Sequence, residues 1–348
     1  MLIAGPKFIK SPKLSSVCGN IIFMSEFRTI IKPHPGDARI AISDQIFTIG
    51  SCFSDAIGQR LRTYKLQAHV NPAGISYNPI SIHRLLNLAL GKQTLQEDNC
   101  TSGEVVFHYD FHSSLYAKTH PQLTARLLKT VSECQTALMS TTWLIITYGT
   151  AWIYSRKDNG RIVSNCHRQP ADWFNKRLLD STAIEESFQE LHSAIQTANP
   201  GLNIMLTVSP VRHLKDTLEG NSVSKSILRV ACENITRRYP NVFYFPSYEI
   251  MLDDLRDYRF YKSDMIHPND VAEEYIWEMF AGAWFDEKLQ TFVKSWRGIL
   301  QALEHRPFHP NTDAHQSFVK ATLKKIEAWS AYVDVNDERN RMLQQLVG

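Results

Sequence analysis

No uninterrupted apolar stretch in this 348-residue chain is longer than a handful of residues, which excludes a bilayer-spanning helix. Met1 to Phe23 carries basic residues but lacks the continuous apolar block and small-residue cleavage site of a signal peptide. Residues 1–26 therefore read as a disordered leader or an upstream start, with a better-patterned stretch opening at Met24, and the protein reads as cytoplasmic. The six cysteines (Cys18, Cys52, Cys100, Cys134, Cys166, Cys232) form no CxxC pair, which argues against a zinc module, and no metal is expected. In a cytoplasmic chain they also do not suggest a disulfide framework; most read as small buried hydrophobes. An excess of one charge is missing too: 38 basic and 35 acidic residues leave a formal +3. With no basic run interleaved with aromatics, nothing points to nucleic acid as a partner. Internal repeats and low-complexity tracts are absent.

What is present is alternation. Short apolar runs rich in β-branched and aromatic residues predict strands at Gln45–Ile49, Leu66–Val70, Trp143–Tyr148, Asn203–Val208 and Val242–Phe245. Amphipathic patterns between them predict helices near Asp55–Tyr64, Ile80–Leu90, Thr124–Met139, Ala183–Thr197 and Ser222–Tyr239, with a last core helix from Asn269-Asp270 to about Phe285. This is the signature of an α/β protein, a doubly wound, mainly parallel five-stranded sheet with helices on both faces in flavodoxin-like layering. Residues 27–285 read as the main domain. Within it, 91–123 have weak periodicity and are expected to form an insertion able to act as a lid. Residues 286–348 read as a helical appendage with two helical patterns, Phe292, Trp296, Ile299 and Leu303 lying on one face of the first. Trp277, Phe280 and Trp284 at helical spacing read as packing rather than a cofactor box.

In an open parallel sheet, functional groups gather in loops at the carboxyl ends of strands. The first strand ends in Gly50-Ser51-Cys52 and leads straight into a helix, whose N-terminal dipole favours an anionic nucleophile. Taken alone, a polar cap beside a core cysteine explains these residues better. Asp264-Met265-Ile266-His267 puts a carboxylate three residues before an imidazole, as a general base needs for its tautomer to be fixed. A helix cap with a surface histidine explains the tetrad about equally well. Gly74, after the second strand, and Thr150, after the third, could supply oxyanion donors. Turn glycines are the simpler account of both glycine-bearing loops. Asn165, His167, His213 and Arg259 are weaker candidates for substrate contact, structural roles and ion pairing being the simpler account of each.

Read together, these strings carry a resemblance. Ile49-Gly50-Ser51-Cys52-Phe53-Ser54 resembles the signature of the GSCFA family, a bacterial family similar to SGNH hydrolases. Asn71-Pro72-Ala73-Gly74, Tyr148-Gly149-Thr150-Ala151-Trp152, Asn165-Cys166-His167, Ser209-Pro210-Val211-Arg212-His213, Tyr244 to Glu249 and Asp254 to Pro268 fit it as well. The resemblance runs from about Phe27 to His309. It implies a nucleophile after the first strand and an Asp-x-x-His pair near the end of the domain. Two departures from the broad superfamily stand out. A gapless register puts Cys52, not Ser51, at the nucleophile, and no amide side chain stands in Gly149-Thr150-Ala151-Trp152.

The implied activity is an acyl-ester hydrolase, an esterase or deacylase on an O-acylated small molecule or glycan. It would work through an acyl-enzyme on Cys52 or Ser51, with His267 as base and Asp264 as its orienter. Pairing with an imidazole at a helix N-terminus should lower the Cys52 pKa. No cofactor is required. The alternative is an O-acyltransferase with the same site and coenzyme A as acyl donor, since a thioester exchanges readily with thioesters. A second alternative is a non-catalytic carbohydrate-binding or assembly module on the same fold.

Overall fold

The computed structural model describes residues 29–346, so the leader expected at 1–26 lies outside the described residues. Strands are β1 (Gln45–Gly50), β2 (Gln67–Val70), β3 (Asn99–Ser102), β4 (Val105–His108), β5 (Trp143–Tyr148), β6 (Trp152–Arg156), β7 (Ile162–Val163), β8 (Phe174–Leu178), β9 (Asn203–Val208) and β10 (Val242–Tyr244). Helices are α1 (Cys52–Thr63), α2 (Pro79–Ala89), α3 (His120–Ser140), α4 (Ser181–Ala198), α5 (Thr217–Arg238), α6 (Ser247–Glu249), α7 (Asp270–Trp284), α8 (Glu287–Glu304), α9 (Asp313–Glu327) and α10 (Asn336–Leu343).

The five strands predicted from sequence form one sheet in the order β10-β9-β5-β1-β2, and every pair in it is parallel. Central β5 is buried along its whole length, while edge strand β2 alternates between exposed and half-buried residues. Because side chains alternate across a strand, Leu144, Ile146 and Tyr148 face α2–α5, with Leu86, Leu127, Phe188 and Leu228. Trp143 and Ile145 face the other way, onto Ile57, Trp277, Phe280 and Trp284 of α1 and α7. Two apolar layers thus sandwich the sheet, and the predicted Trp277–Phe280–Trp284 stripe lies in the second. Short polar side chains fix where the helices begin. Ser51, Asn78, Asp180, Asn269 and Asp286 each accept a hydrogen bond from a first-turn amide of α1, α2, α4, α7 and α8 respectively.

The segment 91–123 folds around the β3–β4 hairpin. Residues 152–178, for which the sequence marked no strands, build a second small antiparallel sheet in the order β7-β6-β8. Beyond α7, α8 shares the second apolar layer through Phe292, Trp296 and Ile299. The Trp296 indole donates to Thr63 O at 3.2 Å, and Lys65 pairs with Glu338 of α10 at 2.8 Å.

Candidate active site

The Gly50-Ser51-Cys52 turn follows β1 next to β5, the point where the strand order reverses. Gly50 is obligatory there: its φ is +142°, and a Cβ would stand 2.2 Å from Thr147 O. Its N–H donates to Asn71 Oδ1 at 2.8 Å, and the Asn71 amide donates in turn to Asp55 Oδ1 at 2.8 Å. Ser76 N donates to Gly50 O at 3.0 Å, and Ser51 N to Thr147 O at 3.2 Å. The two nucleophile candidates therefore occupy different surroundings. Ser51 is only 1% exposed, and its Oγ accepts from Phe53 N as the cap of α1. Cys52 is half-buried at the first position of that helix.

The Cys52 thiol is pushed above its ordinary range by burial. The amides of Cys52 and Phe53 and the cation of Lys225 pull it down, and Asp55 pushes it up again. The lowered pKa expected from a helix N-terminus and an imidazole is therefore not found, because desolvation outweighs the favourable dipoles.

The second group is a closed local unit. Asp264 Oδ1 accepts from the amides of Ile266 (2.9 Å) and His267 (3.0 Å), and Oδ2 accepts from His267 Nδ1–H at 2.7 Å. Those amides, with the imidazole, hold the carboxyl down at about 2, so Asp264 is a carboxylate at neutral pH. With Nδ1 donating to it, His267 presents a lone pair on Nε2. The side chains of His267 and Asp264 are 41% and 44% exposed. Lys262 N donating to His267 O at 2.8 Å ties the loop, and Arg212 N donating to Ile266 O at 3.3 Å docks it on the loop after β9.

A third set of residues, on α5, was not anticipated from sequence. Asn221, Ser224 and Lys225 lie one turn apart on its buried face and pin the loops that follow β5 and β9. Lys225 Nζ donates to Gly149 O and Ser209 O, both at 2.7 Å. Ser224 Oγ accepts from Ala151 N at 2.7 Å, and Asn221 Oδ1 accepts from His213 N at 3.0 Å. Burial brings Lys225 down to about 7, with Cys52 acting against that shift. His213 is lowered to about 4 by burial, then by the charges of Lys225 and His267. Its ring meets Tyr77 edge-on at 5.6 Å, and the Tyr77 phenol is raised by burial, then by the charges of Cys52 and Asp55. Charge thus links Cys52 with Lys225 and Tyr77, and His213 with Lys225 and His267.

Other sequence candidates are placed differently. The Gly74 amide is committed to Asn71 O at 2.7 Å, and the glycine is needed for space: with φ at +80°, its Cβ would stand 2.3 Å from His112 Cβ. Thr150 Oγ1 turns toward α5, 3.1 Å from Ser224 Oγ, and accepts from Trp152 N at 3.1 Å. The amides of Gly149 and Thr150 both donate to Tyr77 O. The Gly74 amide is therefore not a free donor, while the Thr150 hydroxyl shares its hydrogen bond with Ser224 Oγ. Asn165 and His167 clamp the insertion: Asn165 Nδ2 donates to Ser113 Oγ at 3.2 Å, and His167 spans Ser113 Oγ (3.1 Å) and His108 O (2.9 Å). Arg259 is 75% exposed beside Asp257, on the outside of its loop. Among the described residues no group of three or more His, Cys, Asp or Glu is placed to hold a metal.

A search of curated proteins finds no match. Solved structures similar to the chain include a carbohydrate esterase family 2 enzyme with a carbohydrate-binding domain from Corynascus thermopiles (Myceliophthora fergusii). It is 16% identical, with 76% of this chain and 69% of that one covered, at a TM-score of 0.37. A carbohydrate esterase family 3 protein from Talaromyces cellulolyticus is 8% identical over 72% of this chain and 99% of its own, at 0.34. A family 3 carbohydrate esterase from Clostridium thermocellum is 12% identical over 75% and 99%, at 0.29. Likeness at that level carries no argument about activity. The family model described as GSCFA family matches residues 45–280, a span holding the turn after β1 and the Asp264–His267 pair, and the model of the GSCFA C-terminal domain matches 296–348. The chain belongs to the GSCFA family.

Proposed function

We propose that the protein hydrolyses oxygen esters of an acylated small molecule or glycan through a thioester on Cys52. The observation that carries this reading is the Asp264–His267 pair: a carboxylate fixed by two amides, 2.7 Å from the Nδ1 of an imidazole whose Nε2 is free to take a proton. Because the thiol is raised by burial, it starts protonated, and the base is needed. As Cys52 Sγ attacks the acyl carbon, its proton passes to His267 Nε2. The tetrahedral adduct collapses by breaking the ester C–O bond, and the departing alkoxide takes that proton from His267. Water then attacks the thioester carbon and gives its proton to His267. The C–S bond breaks, the acid leaves, and the proton returns to sulfur. Ser51, buried and capping α1, holds the turn.

A screen of short-chain nitrophenyl esters tests the reading. Turnover should fall by roughly a hundredfold or more in His267→Ala and be lost in Cys52→Ala. Asp264→Asn should also lower the rate, through loss of the correct tautomer. Normal rates in a folded His267→Ala variant would leave the pair a structural feature. Cysteine in place of serine favours a second reading, in which the same thioester is loaded from acyl-coenzyme A and passed to an acceptor hydroxyl. Repeating the screen with acyl-coenzyme A and sugar acceptors separates the two.

A further inference from the structure

An acyl carbonyl attacked at Cys52 needs a hydrogen-bond donor for the oxygen that gains charge, and most polar groups around the turn are already committed. The Gly74 amide donates to Asn71 O, those of Gly149 and Thr150 to Tyr77 O, and that of Ala151 to Ser224 Oγ. Lys225 Nζ is divided between Gly149 O and Ser209 O. Two buried side-chain nitrogens of these loops have no hydrogen-bond partner among the described residues, Trp152 Nε1 and His213 Nε2, and of the two it is the His213 ring that packs on Tyr77. A buried polar atom without a partner is costly and calls for an explanation, and a catalytic hydrogen bond is one.

We infer that His213 is the oxyanion donor of this site, its Nε2–H taking the place of the amide side chain missing from Gly149-Thr150-Ala151-Trp152. The inference rests on the hydrolase reading above. Three features of the structure carry it. The loop bearing His213 is fixed at that residue and just before it: His213 N donates to Asn221 Oδ1 at 3.0 Å, and Arg212 N to Ile266 O at 3.3 Å, next to His267. The ring stands edge-on to Tyr77, 5.6 Å away, and the Tyr77 phenol lies in the field of Cys52. Finally, the groups facing the imidazole are Tyr77, Lys225 and His267, and burial with the charges of the last two keeps it neutral at physiological pH. A neutral imidazole donates from one nitrogen, and it does not compete with His267 for the thiol proton. His213 gives a hydrogen bond and transfers no proton: charge builds on the carbonyl oxygen as the S–C bond forms and leaves it as the C–O bond breaks.

The test compares His213→Gln, which keeps an N–H donor but cannot act as a base, with His213→Phe, which fills the space without one. Nitrophenyl ester turnover and the affinity of a trifluoromethyl ketone, which forms a tetrahedral adduct on a thiol, are measured for each. His213→Phe should lose roughly a hundred- to a thousandfold in kcat with little change in KM, and should weaken the ketone adduct by a similar factor. His213→Gln should stay within about tenfold of the parent in both. Should His213→Phe fail to fold, His213→Ala takes its place. Parent-like kcat in His213→Phe or His213→Ala, with Cys52→Ala inactive, overturns the inference and leaves the hydrolase reading standing. A folded His213→Gln as inactive as the donorless variant also overturns it, in favour of His213 as a base. If the parent neither turns over esters nor binds the ketone, the hydrolase reading falls and takes this one with it.

Discussion

At Cys52 two influences on one sulfur oppose each other. The amides of Cys52 and Phe53, with Lys225, favour a thiolate, while burial favours the thiol and prevails. Alkylation of Cys52 by iodoacetamide should therefore be slow at pH 7 and climb steeply only beyond the ordinary cysteine value of 9.0. Site-resolved mass spectrometry across pH checks this; a plateau already reached at pH 7 would mean an activated thiolate. Next to it, Gly50→Ala should destabilise the fold by about 3 kcal/mol or more, since a positive φ and a clash with Thr147 O meet at one atom. Denaturant unfolding measures this. Cys52, Asp264 and His267 could be singled out from the sequence because each lies in a short string whose chemistry is local. The Gly50–Asn71–Asp55 chain could not be read, since it ties the end of β1 and the first turn of α1 to the loop after β2, which only the sheet brings beside them.

α5 shows what an element can conceal. Its buried face continues through Leu228, Ala231, Cys232 and Ile235, so a lysine at 225 on that same stripe is the signal the sequence carries for this network. Lys225 is brought down to about 7 in the folded state, while in the unfolded chain it titrates near 10.5. Between these values the unfolded state binds more protons, so this residue makes stability rise with pH, by roughly 1 kcal/mol per pH unit. Buried cysteines such as Cys134, raised to about 12, act with the opposite sign. The measurable quantity is hence the difference between the parent and Lys225→Met, which should grow in the parent's favour from pH 7 to 9.5 in urea unfolding. A flat difference would place Lys225 outside the buried network. The five strands and their helices were legible because apolar periodicity marks them. The β7-β6-β8 sheet was not, since three of the five residues of β8 are exposed and β7 is two residues long. The polar, eight-residue α10 left a similarly weak trace.

For the molecule as a whole, the parallel order β10-β9-β5-β1-β2 brings loops from distant parts of the chain to one edge of the sheet. Two apolar layers hold that sheet, and α8 completes the second, packing Phe292, Trp296 and Ile299 with Trp277 and Trp284. A chain ending at residue 286 should therefore expose this face and fail to give a soluble, cooperatively unfolding protein. Sharp thermal unfolding of such a truncation would show that the helices after α7 are dispensable.

The most direct measurement is the site of acylation. After brief reaction with a short-chain nitrophenyl ester and an acid quench, peptide mass spectrometry should find the acyl group on Cys52, labile to neutral hydroxylamine as a thioester. It should be absent in Cys52→Ala and present in Ser51→Ala. An acyl group on Ser51, or undiminished turnover in Cys52→Ala, would contradict the account.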